Sequence, residues 1–344
     1  MKVRDFDYEL PPERIAQEPL PERDASRLLV LDRGTGELRH HVFRDLPDLL
    51  SPGDLLVVNR SRVFPARLVG RREGGGAAEI LLVRARPDGT WDALARPARR
   101  LRPGARVLVD EELEVTLEAG APTGPGEKRV RLHAPSGDLA AVLERLGHTP
   151  LPPYIRRPDR PQDRERYQTV YAREPGSIAA PTAGLHFTTP LLARLAARGI
   201  DLAEIVLHVG PGTFRPVQVE NVADHRLEAE PFRVPRAAAE AIRQARARGG
   251  RVVAVGTTTV RALESVARDD GTVAAGEGAT DLVLAPGSRF RAVYALITNF
   301  HLPRSSLLLL VSAFTGRERV LEAYREAIQT GYRFYSYGDA MLIR

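Results

Sequence analysis

The apolar and polar positions alternate between two periods along this chain, and the change of period marks its architecture. Arg27–Leu31, Asp54–Val58, Ile200–Val209 and Arg251–Val255 are nearly continuous apolar runs that predict buried strands. Arg27–Leu31 and Leu38–Phe43 flank Gly34-Thr35-Gly36, which predicts a hairpin. Leu191, Leu192 and Leu195 recur at helical spacing. Thr188 or Thr189 is placed to cap that helix, Pro190 fits its first turn and Gly199 its stop, so Pro190–Arg198 reads as a helix. Further helices are expected over Ala237–Arg248, Gly256–Ala267, Ser305 or Ser306 to Phe314, and about Glu318–Thr330, with strands at Leu282–Ala285 and Ala292–Ile297. Phe6–Gln17 reads as an extended arm leading into a short helical turn.

Between Val63 and Ala134 the pattern becomes short β-like segments separated by Gly and Pro: Ala66–Gly70, Ala78–Ala85, Thr90–Ala95, Arg106–Val109, Leu113–Leu117 and Lys128–His133. That pattern suggests a small barrel or sandwich. A short helix follows at 138–146, and Leu151–Pro161 is a Pro-rich connector. The expected fold is therefore an α/β main domain, a mixed sheet or barrel with helices, formed by 1–62 plus 151–344. Residues 63–150 form an inserted small all-β barrel domain. A chain of 344 residues suits about two domains.

Composition narrows the chemistry. The absence of Cys removes disulfides, thiol nucleophiles, Cys-ligated zinc and iron–sulfur clusters. Lysine occurs only at Lys2 and Lys128, so a P-loop or Schiff-base lysine is not expected, and His, Asp, Glu and Tyr remain for proton transfer. No apolar run approaches the roughly 20 residues of a membrane span, and Met1–Gln17 has no apolar core or small-residue cleavage site. No membrane association is expected, and the cytoplasm is the expected location. The net charge of +6 is modest, but Arg96, Arg99, Arg100, Arg102 and Arg106 cluster, as do Arg156, Arg157, Arg160, Arg164 and Arg166. Arg presents a planar fork suited to phosphate. With Tyr154 and Tyr167 nearby for stacking, these clusters are candidate nucleic-acid contacts.

Four polar turns carry the candidate chemistry. APTAGLHFT (Ala180–Thr188) and LHVGPGTF (Leu207–Phe214) each set a His among Gly, Pro and Thr. They flank the predicted helix–strand pair, so His186 and His208 are expected to meet at one end of it. Gly256-Thr257-Thr258-Thr259 joins a strand to a helix, where free N–H groups attract a carboxylate or phosphate, unless the threonines simply cap. Thr298-Asn299-Phe300-His301 has the same strand-to-helix position. His186, His208, His225 and His301 lack metal-ligand spacing such as HExxH, and no metal is expected.

Taken together, FDYELPPERIAQEPLPERDASRLLVLDR (Phe6–Arg33), RVFPARL (Arg62–Leu68), LPPYIRRPD (Leu151–Asp159), RYQTVYA (Arg166–Ala172), APTAGLHFT, LHVGPGTFRPV, VGTTTVRALES, ITNFHLPRSSLLLLVSAF (Ile297–Phe314) and YSYGDAMLI (Tyr335–Ile343) resemble the S-adenosylmethionine:tRNA ribosyltransferase-isomerase family of queuosine biosynthesis. The resemblance implies transfer of the ribosyl part of S-adenosylmethionine to 7-aminomethyl-7-deazaguanine at the tRNA wobble position. The ribosyl part then rearranges to the epoxycyclopentanediol of epoxyqueuosine, with release of adenine and methionine. S-adenosylmethionine is the co-substrate, no other cofactor is implied, and a monomer is expected. By matching position, His186 and His208 are the candidate bases. Thr182, Gly184, Gly210, Gly212, Thr213, Gly256, Thr257, Thr258, Arg261, Thr298, Asn299 and His301 are carried over as the substrate cleft. Arg99, Arg100, Arg156 and Arg157 are the expected tRNA contacts. Three positions depart from the family pattern: Arg60, in Asn59-Arg60-Ser61-Arg62, adds a cation; Glu228 replaces a His; Tyr294 replaces an Asp. The alternatives are a non-catalytic tRNA-binding paralogue and a metal-dependent hydrolase.

Overall fold

The structure, a computed structural model, describes residues 1–120, 126–135, 137–214 and 216–344, without the side chains of 213 and 214. In chain order the strands are β1 (Arg27–Leu31), β2 (Leu38–Val42), β3 (Leu55–Asn59), β4 (Ser61–Val63), β5 (Arg67–Arg72), β6 (Ala77–Ala85), β7 (Thr90–Arg96), β8 (Arg106–Asp110), β9 (Leu113–Glu118), β10 (Glu127–His133), β11 (Glu174–Ser177), β12 (Asp201–Leu207), β13 (Glu230–Val234), β14 (Val252–Val255), β15 (Gly276–Thr280), β16 (Ala295–Asn299) and β17 (Ala340–Ile343). The helices are α1 (Leu46–Leu49), α2 (Leu139–Leu146), α3 (Asp163–Arg166), α4 (Thr189–Ala197), α5 (Arg236–Ala247), α6 (Thr257–Val266), α7 (Ser306–Thr315) and α8 (Arg317–Gln329).

A mixed sheet of order β15-β13-β12-β3-β14-β16-β17-β1-β2 forms the larger unit. Its centre, β12-β3-β14-β16, is parallel throughout. Period-2 alternation sends Leu55 and Val57 of β3 into one core and Leu56 and Val58 into the other. Both faces are covered, which is why these strands read as unbroken apolar runs. The helices stop and start on local chemistry. Thr188 Oγ1 accepts from Leu191 N at 3.2 Å to open α4, and Gly199, at φ +74°, closes it.

Strands β5 to β10 close into a six-stranded barrel of order β10-β7-β6-β5-β8-β9, filled by Leu68, Ile80, Leu82, Val115 and Val130, with α2 packed on it through Val142 and Leu143. Closure removes the exposed edges that such short strands would otherwise carry.

Two expectations need correction. Leu282–Ala285 is not a strand; the carbonyl of Leu282 accepts instead from the Arg261 guanidinium, and Leu284 packs into the core. The sheet edge is β15, whose sequence Gly-Glu-Gly-Ala-Thr carries no apolar alternation to announce it. The expected strand at Ala292–Ile297 begins three residues later, at Ala295, because Glu264 accepts from the backbone N–H groups of Arg291, Ala292 and Val293. The arm at the start of the chain forms two short 3-10 turns, Val3–Phe6 and Pro12–Arg14.

Candidate functional site

Because β12, β3, β14 and β16 are parallel neighbours, their carboxyl ends lie on one edge of the sheet. The turns after them begin at His208, Arg60, Gly256 and Phe300. A crevice outside the carboxyl ends of parallel strands is where such sheets bind ligands. Asn59, fully buried, ties two of these ends together: its Nδ2 donates to Leu207 O at 2.9 Å, and its Oδ1 accepts from Leu207 N and Ser61 N.

Two cavities open along this edge and share Val209 as a wall. The larger, about 730 Å³, lies between the sheet edge and the barrel. His208, Gly210, Gly212, Glu228, Glu230 and Arg261 face it from one side, and Phe64, Trp91 and Arg62 from the other. The smaller is lined by Thr182, Gly256, Thr257, Thr258, Thr298, Asn299 and His301, and by Tyr154 and Tyr335.

His208 is the titratable group best placed for chemistry. Neither ring nitrogen has a partner among the described residues, and Nδ1 is closed off from bulk solvent. Burial pushes its pKa below the ordinary value, with Glu174 opposing and Arg233 adding to the shift, so the ring is neutral at pH 7. Gly176 backs it: a Cβ there would stand 2.9 Å from the imidazole.

His186 does not join it, contrary to expectation. It lies four residues beyond Thr182 on a 3-10 turn and lines neither cavity, its ring centroid 5.0 Å from that of Phe43. Its Nδ1 meets Ser26 Oγ at 2.9 Å and its Nε2 meets Asn299 Nδ2 at 3.2 Å. Both nitrogens are engaged, so the ring braces Asn299, whose Oδ1 in turn holds the Thr182 hydroxyl at 2.9 Å. His301 faces the smaller cavity with Nε2 on Thr298 Oγ1 at 2.7 Å.

Other expected site residues also divide. Arg261 reaches the large cavity wall but is held by Glu230 Oε2 and by the carbonyls of Leu282 and Thr280. Glu230 Oε1 accepts from Gly210 N at 2.7 Å, so this ion pair fixes the turn after β12. Gly184 lines neither cavity. A Cβ on it would meet the Tyr171 hydroxyl at 2.1 Å, so its role is packing. Thr213 lies outside the described side chains. Arg157 is bound bidentately to Asp163 at 2.7 and 2.9 Å and is unavailable to a phosphate. Tyr167 is fully buried and Tyr154 packs on Tyr335 at the wall of the smaller cavity, so neither is free on the connector's outer surface to stack a base. Arg99, Arg100 and Arg156 are exposed. Trp91 sits at the cavity end of β7 and Arg96 at the other end. At about 3.3 Å per residue that run covers roughly 16 Å, so Arg99 and Arg100 stand at the far end of the barrel. Of the departures, Glu228 is on the large cavity wall, Arg60 pairs with Glu174 and Glu204, and Tyr294 is exposed.

The family model for queuosine biosynthesis protein matches residues 3–343. The chain belongs to this family. The S-adenosylmethionine:tRNA ribosyltransferase-isomerase of Moorella thermoacetica is 56% identical over 345 residues, covering all of both chains. Its namesake from Geobacter sulfurreducens is 52% identical over 345 residues, also covering both chains fully. Among solved structures, the S-adenosylmethionine tRNA ribosyltransferase of Thermotoga maritima is 39% identical over 99% of this chain and 100% of that one, with a TM-score of 0.56. Among the described residues no three His, Asp or Glu side chains are grouped to hold a metal ion, and no helix is long and apolar enough to cross a membrane.

Phe64, Trp91, Gly176 and Glu230 line the large cavity and were missed by sequence reasoning. Nothing in a strand's alternation says which end of a barrel faces a neighbouring sheet, and nothing in Glu-Pro-Phe-Arg-Val marks its first residue as a buried ion-pair partner.

The buried histidines set a pH dependence. Burial pushes His186 down to about 3, with Arg333 and Arg23 helping and a backbone contact opposing, and burial alone pushes His301 down to about 3. An unfolded His titrates near 6.5. Below that value the unfolded chain binds protons that the folded chain refuses. The contribution is therefore complete above pH 6.5 and is lost as the pH falls toward 3. At pH 5 the loss is about 2 kcal/mol per histidine. Urea unfolding at pH 7 and pH 5, with NMR of the ring carbons, checks this. Both rings should stay neutral at pH 5 in the folded protein, and titration of either near 6.5 would contradict it.

Proposed function

We propose that this protein transfers and isomerises the ribosyl moiety of S-adenosylmethionine onto 7-aminomethyl-7-deazaguanine at the tRNA wobble position, releasing adenine and methionine. It acts in the cytoplasm as a monomer. Residues 1–62 with 151–344 form the catalytic domain, and 63–150 form the inserted barrel domain. The observation that carries the reading is the cavity between sheet and barrel with a neutral, unpartnered His208 on its wall.

The sulfonium of S-adenosylmethionine acidifies the adjacent C5′ hydrogens, and a neutral imidazole is a base of suitable strength to take one. His208 is half-buried with Nδ1 shielded from solvent, which favours that transfer because the charged groups it creates meet fixed dipoles rather than mobile solvent. His208 is the proposed base, and His186 is proposed to position Asn299. Phe64 and Trp91, with ring centroids 5.8 Å apart, offer the facing wall on which a base can stack. Arg99, Arg100 and Arg156 are proposed phosphate contacts; Arg157 is not.

Incubation with S-adenosylmethionine and tRNA carrying 7-aminomethyl-7-deazaguanine should release one adenine and one methionine for each nucleoside modified. Folded protein that binds this tRNA and releases no adenine would instead be the non-catalytic paralogue. The hydrolase alternative lacks a grouped donor set among the described residues.

A further inference from the structure

Helix α6 starts without a cap. Asp138, Thr188 and Ser305 each place a side-chain oxygen on the first turn of α2, α4 and α7, but the residue before α6 is Gly256, which has none to offer. Gly256 stands at φ +89° and ψ 151°, a conformation essentially confined to glycine. The backbone N–H groups of Thr257, Thr258 and Thr259 have no acceptor among the described residues, yet these residues are 5%, 6% and 0% exposed. Buried helix ends are normally satisfied by side chains, water or a ligand. A second feature points the same way. Thr257, itself only 5% exposed, stands on the wall of the smaller cavity, and its hydroxyl has no hydrogen-bond partner among the described residues.

We infer that the uncapped start of α6, with the Thr257 hydroxyl, is the binding subsite for the α-carboxylate of an amino-acid ligand. The positive end of a helix and its free N–H groups favour an anion. Among the described residues no Arg or Lys lines this cavity, and Arg261, one turn along α6, is already neutralised by Glu230. A singly charged carboxylate therefore suits the subsite better than a phosphate does. The cavity adjoins the larger one across Val209, so one molecule can lay its amino-acid end here and its nucleoside end beside His208. This inference rests on S-adenosylmethionine being the substrate and assigns its methionyl carboxylate.

The test compares S-adenosylmethionine with its decarboxylated analogue, by KM in the adenine-release assay. The wild-type protein should prefer the carboxylate-bearing compound by tenfold or more, the worth of one charge-assisted hydrogen bond. Thr257→Val should narrow that preference. Thr257→Asp should raise KM for S-adenosylmethionine at least tenfold and change that for the analogue, which has no carboxylate to repel, far less. Its melting temperature should be held or raised, since an acidic residue complements a helix start. Equal KM values for the two compounds in the wild type, or equal losses on both in Thr257→Val, would overturn the inference. If the wild type releases no adenine at all, the substrate reading fails by itself, and calorimetric titration of L-methionine against methioninol then decides the subsite. Binding of methionine alone upholds it, and equal or absent binding of both overturns it.

Discussion

Glu230→Gln should cost about 3–5 kcal/mol of stability, because it strands the Arg261 guanidinium in a site where both side chains are under 10% exposed. The substitution preserves shape and leaves an acceptor for Gly210 N, so the loss isolates the charge. Arg261 cannot relax toward water: two of its nitrogens are fixed on the carbonyls of Leu282 and Thr280 at 3.1 and 3.0 Å. Removing both charges, as in Glu230→Gln with Arg261→Met, should recover a large part of the loss, since an apolar pair of similar volume avoids the desolvation of two ions. Urea unfolding of the two single variants and the double variant measures the coupling. A Glu230→Gln protein within 1 kcal/mol of wild type would show that the pair is screened by solvent the geometry does not admit.

His208→Gln should lower kcat about 100-fold or more while leaving tRNA affinity within about twofold, the expected range for removal of a general base. Because burial depresses its pKa, the wild-type kcat/KM should hold as the pH falls through 6.5 and decline only below it. Protonation abolishes the base, so the acid limb belongs to His208 and should disappear in the residual rate of the variant. Near-normal turnover would remove His208 from the mechanism. His186→Gln, by contrast, should act through Asn299 and through stability, with the acid limb intact.

The sheet and the barrel were both legible because each strand's period records its burial: unbroken apolar runs where helices cover both faces, alternation where one side is wet. Helix limits were legible where a side chain acts locally, as Thr188 and Ser305 do. The four polar turns were found for the same reason, since Gly, Pro and Thr between a strand and a helix are a local signal. What could not be read was direction. Thr182 and His186 lie on one turn, and only the packing against Phe43 and Ser26 draws the histidine away from the cavity that Thr182 lines. Arg157 and Arg156 are equivalent in sequence; one meets a buried Asp163 and the other meets water. β15 escaped notice because an edge strand needs little apolar surface, and β13 because Glu230, Pro231 and Arg233 break up its short apolar pattern.

The barrel's length has a consequence for selectivity. With aromatic rings at one end and guanidinium groups without partners among the described residues at the other, the insert would work, on the proposed contacts, as a ruler laid along the nucleic acid. On the proposed contacts, a nucleotide at His208 is expected to bind productively only when its backbone runs on for the span needed to meet Arg99 and Arg100. Free nucleosides and short oligonucleotides that carry the correct base would then be poor substrates, because they have nothing to lay against the far mark.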